Sequence, residues 1–283
     1  MNYLTETFTL ANGVKIPKVG LGTWQIPNNA VEEPVAAALK HGYRHIDSAT
    51  DYGNEQGVGK AVRESSISRS KIFVTTKILA ELKTYTQAKQ AIEKSLATLD
   101  IEYIDLMLIH APRPWAEMSN FHVKEKAEIV KGDVRYLDGN IAVWRAMEEA
   151  YKEGKLKSIG VSNFDKIDLQ NIIDNCHIVP MVDQISYYIS RPQKEIVDFC
   201  RANNILVQGY SPIATGRLLG NPDIEKIAQK YGVTLPQICI KYVLQNNVLP
   251  LPKSTNPDRI IANSQLDFEI SKEDMAFLDQ VKE

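Results

Sequence analysis

YRHIDSATDYGNE at 43–55, KIFVTTK at 71–77 and IDLMLIH at 104–110 share one arrangement. In each, a short apolar run leads into ionisable side chains at or just past its end: Asp47 and Tyr52, then Lys77, then His110. Placed on neighbouring parallel strands, the four converge at the strands' C-terminal edge, where a closed α/β barrel carries its chemistry. A carboxylate, a phenol, an ammonium and an imidazole together form a proton-handling group. The phenol is the natural acid of the set. A nearby lysine cation stabilises phenolate, and the expectation is a tyrosine pKa below its usual value of about 10.

Working outward, apolar runs of the same kind recur as KVGLG, LKSIGVS, MVDQIS, ILVQGYS and VLPLPKS, which with the first three makes eight. Several are almost continuously apolar, as strands buried on both faces must be. Helical patterns lie between them. Over 86–99, Ala88, Ala91, Ile92, Ser95, Leu96 and Leu99 recur at three- and four-residue spacing, and over 139–153 so do Ile141, Trp144, Met147 and Tyr151. Ser271-x-x-Asp274 reads as a capping box opening the last helix. At the start, TFTL and VKIP flank Asn12-Gly13, a pair that favours a tight type I′ hairpin turn. Eight strands alternating with helices predict an α/β fold, a single (β/α)₈ TIM barrel with an N-terminal β-hairpin, forming one domain over 1–283. The connection over 111–138 has no barrel-type helix. It follows the His110 strand and is expected to shape a substrate pocket.

Composition narrows the function classes. The chain has 283 residues, 44% of them hydrophobic, enough for a large core. A formal charge of −2 gives no basic field for nucleic acid. No apolar run is long enough to span a bilayer, and MNYLTETFTL does not read as a secretory signal. The three cysteines, Cys176, Cys200 and Cys239, are an odd number without close pairing, which fits a reducing cytoplasm. Neither HExxH nor CxxC occurs, so no metal is expected. Gly20-Leu21-Gly22 lacks the third glycine of a dinucleotide fingerprint. Gly57-Val58-Gly59-Lys60 has Asn54 where a phosphate loop needs its first glycine and Ala61 where it needs a hydroxyl.

The contexts of Asp47, Tyr52, Lys77 and His110 resemble the catalytic tetrad of the aldo-keto reductase family, in the manner of its short-tailed microbial members. GLGTW at 20–24, SIGVSNF at 158–164, GYSP at 209–212 and PKSTNPDRI at 252–260 extend the likeness over almost the whole chain. Residue chemistry and resemblance agree on carbonyl reduction. Tyr52 is the general acid, Lys77 favours the phenolate, Asp47 holds Lys77 charged and aimed, and His110 orients the substrate carbonyl. No side chain supplies a hydride, so a nicotinamide cofactor is implied. The resemblance gives its carboxamide to Ser162, Asn163 and Gln184, its ring to the face of Tyr210, and further contacts to Ser211 and Asn263. Lys253, Ser254, Thr255 and Arg259 offer two cations and two hydroxyls near a helix start, which suits phosphate. The resemblance makes this the 2′-phosphate of NADP(H), with NADPH preferred and NADH as an alternative. It makes Trp24 a pocket wall for a small-molecule carbonyl substrate. Trp115 is a second candidate wall, and a monomer is favoured.

Each residue has a plainer reading. Tyr52 and Tyr210 suit packing, Asp47–Lys77 a structural ion pair, His110 a core histidine, and Ser162 and Asn163 a helix cap before Asp165. Two rival functions also stand: a non-catalytic, cofactor-binding barrel, and an isomerase or aldolase using Lys77 as a Schiff-base amine. The chain departs from the family pattern in three places. Ala111 follows the histidine where tryptophan is common, Ser186 stands where glutamate is frequent, and Ala262 precedes Asn263 where the family commonly has glutamate.

Overall fold

The computed structural model describes residues 3–118 and 135–283. Strands β1 (Thr7–Thr9) and β2 (Lys15–Pro17) pair antiparallel as the N-terminal hairpin. The turn differs from the type I′ expected. Gly13 takes φ +85° but Asn12 keeps a negative φ, whereas type I′ needs both central residues positive. Gly13 N–H donates to Leu10 O at 2.9 Å and Leu10 N–H to Val14 O at 2.8 Å. The connection is therefore a three-residue loop whose glycine takes the left-handed position. Asn12 Oδ1 accepts Val14 N–H at 3.2 Å within the turn, and its Nδ2 donates to Lys157 O at 3.0 Å. Lys157 lies just before a barrel strand, so the hairpin sits at the N-terminal end of the barrel, opposite the edge that carries the ionisable residues.

All eight apolar runs form strands. They are β3 (Leu21–Gly22), β4 (His45–Asp47), β5 (Phe73–Ile78), β6 (Leu106–Ile109), β7 (Ile159–Ser162), β8 (Val182–Ser186), β9 (Leu206–Tyr210) and β10 (Leu249–Leu251). They are parallel and lie side by side in sequence order. Gly20 and Gly22 N–H donate to Pro250 and Pro252 O at 3.2 and 2.9 Å, which joins the first strand to the last. This is the (β/α)₈ barrel. Its strands are buried almost throughout because helices cover the outside and side chains fill the inside.

The covering helices follow the expected periodicity. In Tyr85–Leu99 the buried positions are Ala88, Ile92, Ser95 and Leu99, and Thr84 caps the helix by accepting Gln87 N–H. In Leu137–Lys152, Trp144 and Met147 are fully buried while Ile141 and Tyr151 are partly so. Ser271 Oγ accepts Asp274 N–H at 3.1 Å, but Ser271 N–H donates to Tyr231 Oη instead of closing a reciprocal box. Within the connection over 111–138, Trp115–Glu117 make one 3₁₀ turn. Residues 119–134 lie outside the described residues, and most of the expectation about this loop lies there with them. Among the described residues no helix is long and apolar enough to cross a membrane.

Helix Glu55–Glu64 begins three residues after Tyr52 and packs against the end of Tyr85–Leu99. A Cβ on Gly59 would lie 1.9 Å from Leu99 O, a backbone atom that cannot swing away. Gly59→Ala is expected to lower the unfolding free energy by about 3 kcal/mol in urea titration. A loss under about 0.5 kcal/mol would mean that the two helices separate freely.

Candidate active site

Asp47 ends β4 and Lys77 lies near the end of β5, so both project into the barrel near its C-terminal edge. Lys77 is fully buried, with its Nζ 2.7 Å from Asp47 Oδ1. It also donates to Ser48 O at 2.7 Å and to Tyr52 Oη at 3.2 Å. An ammonium has three N–H donors and no acceptor, so these three partners use all of it. A lysine so engaged is a poor amine nucleophile, which counts against Schiff-base chemistry. Tyr52 Oη is the acceptor from Lys77, leaving its own proton to point elsewhere. Tyr52 rides on the short turn Thr50–Tyr52 after β4, and Gly53 leaves that turn with φ +64°.

His110 follows β6 and meets Tyr52 edge-on, ring centres 5.6 Å apart. It is 6% exposed, and its Nδ1 is buried without a partner. A proton on Nδ1 would be stranded there, so the neutral ring carries it on Nε2, towards the cavity that His110 lines. Burial holds the imidazole well below its usual pKa, and the nearby Lys77 charge adds to this.

The electrostatics of Tyr52 correct one expectation. Its phenol lies well above the usual tyrosine range, not below it. Burial is the main cause, followed by the negative charges of Asp47 and Asp51. The sequence reading counted one cation; in the fold, Asp47 offsets that cation and desolvation dominates. Burial likewise draws Lys77 downward, while Asp47 draws it back. The resting site is thus a neutral phenol held against a buried ion pair.

Several supporting residues escaped sequence reasoning. Asn54, fully buried, donates through Nδ2 to Thr23 O and Ile26 O at 2.9 Å each and accepts from Ser48 Oγ at 2.7 Å. It ties the loop carrying Trp24 to the turn carrying Tyr52. Glu55, also buried, accepts from Thr76 Oγ1 at 2.6 Å beneath the ion pair. Gln208 on β9 accepts from Gln184 Nε2 at 2.9 Å. The one available signal was Asn-Glu at the mouth of a helix with an apolar face, where solvated polar residues are the ordinary reading.

A cavity of about 940 Å³ opens over this edge, and every residue singled out above for cofactor or pocket lines it. Gln184 Nε2 donates across the barrel to Asp47 Oδ2 at 2.8 Å. With Gln208 as its other acceptor, only the Gln184 carbonyl remains for a ligand. Ser162 Oγ donates to Gln184 O at 2.8 Å. Asn163, at φ +63°, donates to His110 O at 3.0 Å and accepts from Tyr210 Oη at 2.9 Å. The helix cap is Asp165, which accepts Ile167 and Asp168 N–H, so Ser162 and Asn163 do not serve as one. Ser211 takes φ +53° beside Tyr210, turning the chain along the cavity wall.

Lys253, Thr255 and Arg259 are exposed and Ser254 is buried, all after β10. The helix Pro257–Ala262 is capped by Asn256. Neither Lys253 nor Arg259 makes an ion pair among the described residues, and Arg259 Nε only reaches Ser254 Oγ at 3.4 Å. Two cations that line the same cavity, without ion pairs among the described residues, suit a phosphate. Asn263 is buried next to Ala262 on the same wall. These polar groups, the Tyr210 ring and the cation pair fit an elongated cofactor ending in phosphate. On the substrate side, Trp24 is 36% exposed and Trp115 stands edge-on to His110 at 5.0 Å. Ala111 is fully buried, and the Trp115 indole covers the histidine in its place.

The model of the Aldo/keto reductase family matches residues 18–283. The glyoxal reductase of Bacillus subtilis is 38% identical over 278 residues, 98% of this chain and 92% of that protein. A Saccharomyces cerevisiae protein named glycerol 2-dehydrogenase (NADP(+)) is 35% identical over 289 residues, 98% of this chain and 91% of that protein. The crystal structure of an aldo/keto reductase from Brucella melitensis superposes with a TM-score of 0.88 at 35% identity, covering 99% of each chain. The chain belongs to the aldo-keto reductase family. Its class is that of oxidoreductases that interconvert carbonyls and alcohols with a nicotinamide cofactor.

The buried pair gives a stability test. Removing the counter-charge of a buried ion costs about 3–5 kcal/mol. Asp47→Asn is expected to lose this much in chemical denaturation, and adding Lys77→Met should recover part of it. A loss under 1 kcal/mol would mean that Lys77 is already uncharged.

Proposed function

We propose that this protein is an NADPH-dependent reductase of small aldehydes and ketones, acting as one catalytic unit over residues 1–283, with Tyr52 as general acid. The observation that carries the reading is the Lys77 ammonium. Its three donors go to Asp47, Ser48 and Tyr52 Oη, so the phenol accepts one hydrogen bond and keeps its own proton for the cavity.

Ser162, Asn163, Gln184 and Tyr210 would hold a reduced nicotinamide, which would supply the hydride. The chain's own residues do the rest. His110 Nε2–H and the Tyr52 hydroxyl bind the substrate carbonyl oxygen and polarise it. As negative charge grows on that oxygen, Tyr52 gives up its proton, and Lys77 stabilises the phenolate left behind. The raised phenol pKa suits this order, because an acid must still hold its proton when the substrate arrives. Asp47 and Gln184 keep the ammonium aimed. Trp24 and Trp115 form the apolar walls that limit water.

Lys253 and Arg259 support a 2′-phosphate, hence NADPH over NADH, and the name of the yeast relative is consistent with that. The Bacillus relative's name points to small dicarbonyls as the first substrates to try. The free cysteines fit a reducing, cytoplasmic setting.

The test is NADPH oxidation against aldehydes, dicarbonyls and sugars. Tyr52→Phe is expected to lower kcat/KM about 10²–10⁴-fold, and retention of activity would remove Tyr52 from the chemistry. For reduction, the rate should stay level from about pH 6 to 9, because the phenol remains protonated and His110 neutral. An acid limb near pH 6.5 would instead assign a charge change to His110. Arg259→Ala should weaken NADPH about tenfold to a hundredfold and leave NADH nearly unchanged, as loss of one charge-assisted contact predicts. Equal losses for both cofactors would place the phosphate elsewhere.

A further inference from the structure

The Trp115 wall is held from a distance. Trp115 stands five residues beyond His110, and the run between them, Ala111-Pro112-Arg113-Pro114, carries two prolines. Each proline fixes its own φ and offers no N–H, so the run has few donors with which to pair. Its carbonyls are used instead. Three consecutive ones accept hydrogen bonds, each from a side chain of a different element. Asn163, after β7, donates to His110 O at 3.0 Å. Lys83 Nζ, from the loop after β5, donates to Ala111 O at 3.0 Å. Asn140 Nδ2, in helix Leu137–Lys152, donates to Pro112 O at 3.0 Å. At the far end, Glu81 Oε1 accepts Trp115 N–H at 3.2 Å.

Two of these holders brace each other. Lys83 Nζ also donates to Asn140 Oδ1 at 2.9 Å. Asn140 is fully buried, so its amide has no water to exchange for these partners. The helix comes this close because Gly139 has no side chain. A Cβ there would lie 2.9 Å from Lys83 Cβ. Among the described residues, the cavity lining includes His110 and Trp115 but none of Lys83, Asn140 and Glu81. These three therefore act on a bound molecule through the segment they hold. That segment ends in the indole set edge-on to the His110 ring, centres 5.0 Å apart. A carbonyl that reaches His110 has to fit beside that indole.

We propose that Lys83, Asn140 and Glu81 are positioning residues that fix the Trp115 indole against His110 and so restrict the site to slender carbonyl compounds. Short unbranched aldehydes and dicarbonyls are favoured over those with an aryl or branched group next to the reacting carbonyl. This rests on the carbonyl-reductase reading and narrows its substrate class. With the clamp cut, the indole moves off His110 and wider groups are admitted.

The experiment measures kcat and KM with NADPH for methylglyoxal and phenylglyoxal. Both present an aldehyde beside a ketone, and they differ in a methyl against a phenyl group. The readout is the ratio of kcat/KM, phenylglyoxal over methylglyoxal. It should rise about tenfold in Lys83→Met, through a lower KM for phenylglyoxal, at the low end of what a change in apolar pocket fit produces. A purely structural role would lower both activities and leave the ratio alone. Lys83→Arg keeps a charged donor and should restore most of the wild-type ratio. In Trp115→Ala, adding Lys83→Met should leave the ratio where the first change put it, because the clamp works through the indole. Glu81→Ala, at an exposed position, should raise the ratio by a smaller factor, and it carries the test if Lys83→Met does not fold. Ratios within about twofold of wild type, with methylglyoxal still reduced, overturn the clamp and leave the reductase reading standing. A Lys83→Met effect that persists undiminished without Trp115 overturns it as well. No NADPH oxidation by wild type with either compound overturns both readings.

Discussion

The Lys77–Asp47 pair inside the barrel mouth is the constraint on which the site depends. Two charges removed from water are tolerated only if each is matched and every remaining donor and acceptor is used. The fold meets this by surrounding them. Ser48 O and Tyr52 Oη take the other two lysine protons, and Gln184, from the far side of the barrel, takes the second Asp47 oxygen. Gln208 then accepts from Gln184. Four strands are thereby tied through one polar chain, and the phenol is its outermost member. The groups that stabilise the buried charge are the same groups that orient the acid.

A second set of bonds fixes the rim to this centre. Asn54 joins the Trp24 loop to the Tyr52 turn, and Asn163 joins the His110 backbone to Tyr210. Both asparagines accept and donate at once, which backbone groups alone cannot do across non-adjacent loops. Asn163 makes these bonds from a left-handed backbone conformation. Loops at a barrel mouth are otherwise the most variable part of the fold. Here the aromatic walls are held to the acid–base residues by hydrogen bonds that span the rim.

Much of the architecture was legible because its signals are local. Strands buried on two faces must be apolar runs, and helices buried on one must repeat at three and four. β4, β5 and β6 were readable for that reason, as was the buried face of Tyr85–Leu99. The hairpin was readable but its turn type was not. Asn12 reaches Lys157 O, a partner 145 residues away, and the loop takes its form with that contact in place. The candidate site divides the same way. Asp47, Tyr52, Lys77 and His110 carry chemistry-bearing side chains at strand ends and so draw notice. Asn54, Glu55 and Gln208 look like surface residues until the fold buries them.

The sequence by itself determined the alternation of eight strands with helices, the family, and the four ionisable residues that the barrel's strands bring to one edge. Those are consequences of residue type and order. Only the tertiary structure decided how these groups behave. It placed the Tyr52 phenol above its usual range, because desolvation and two carboxylates outweigh one lysine. It left Gln184 only its carbonyl for a ligand, because both amide protons are already used. Each is a sum over neighbours distant in the chain, and no local pattern carries that sum.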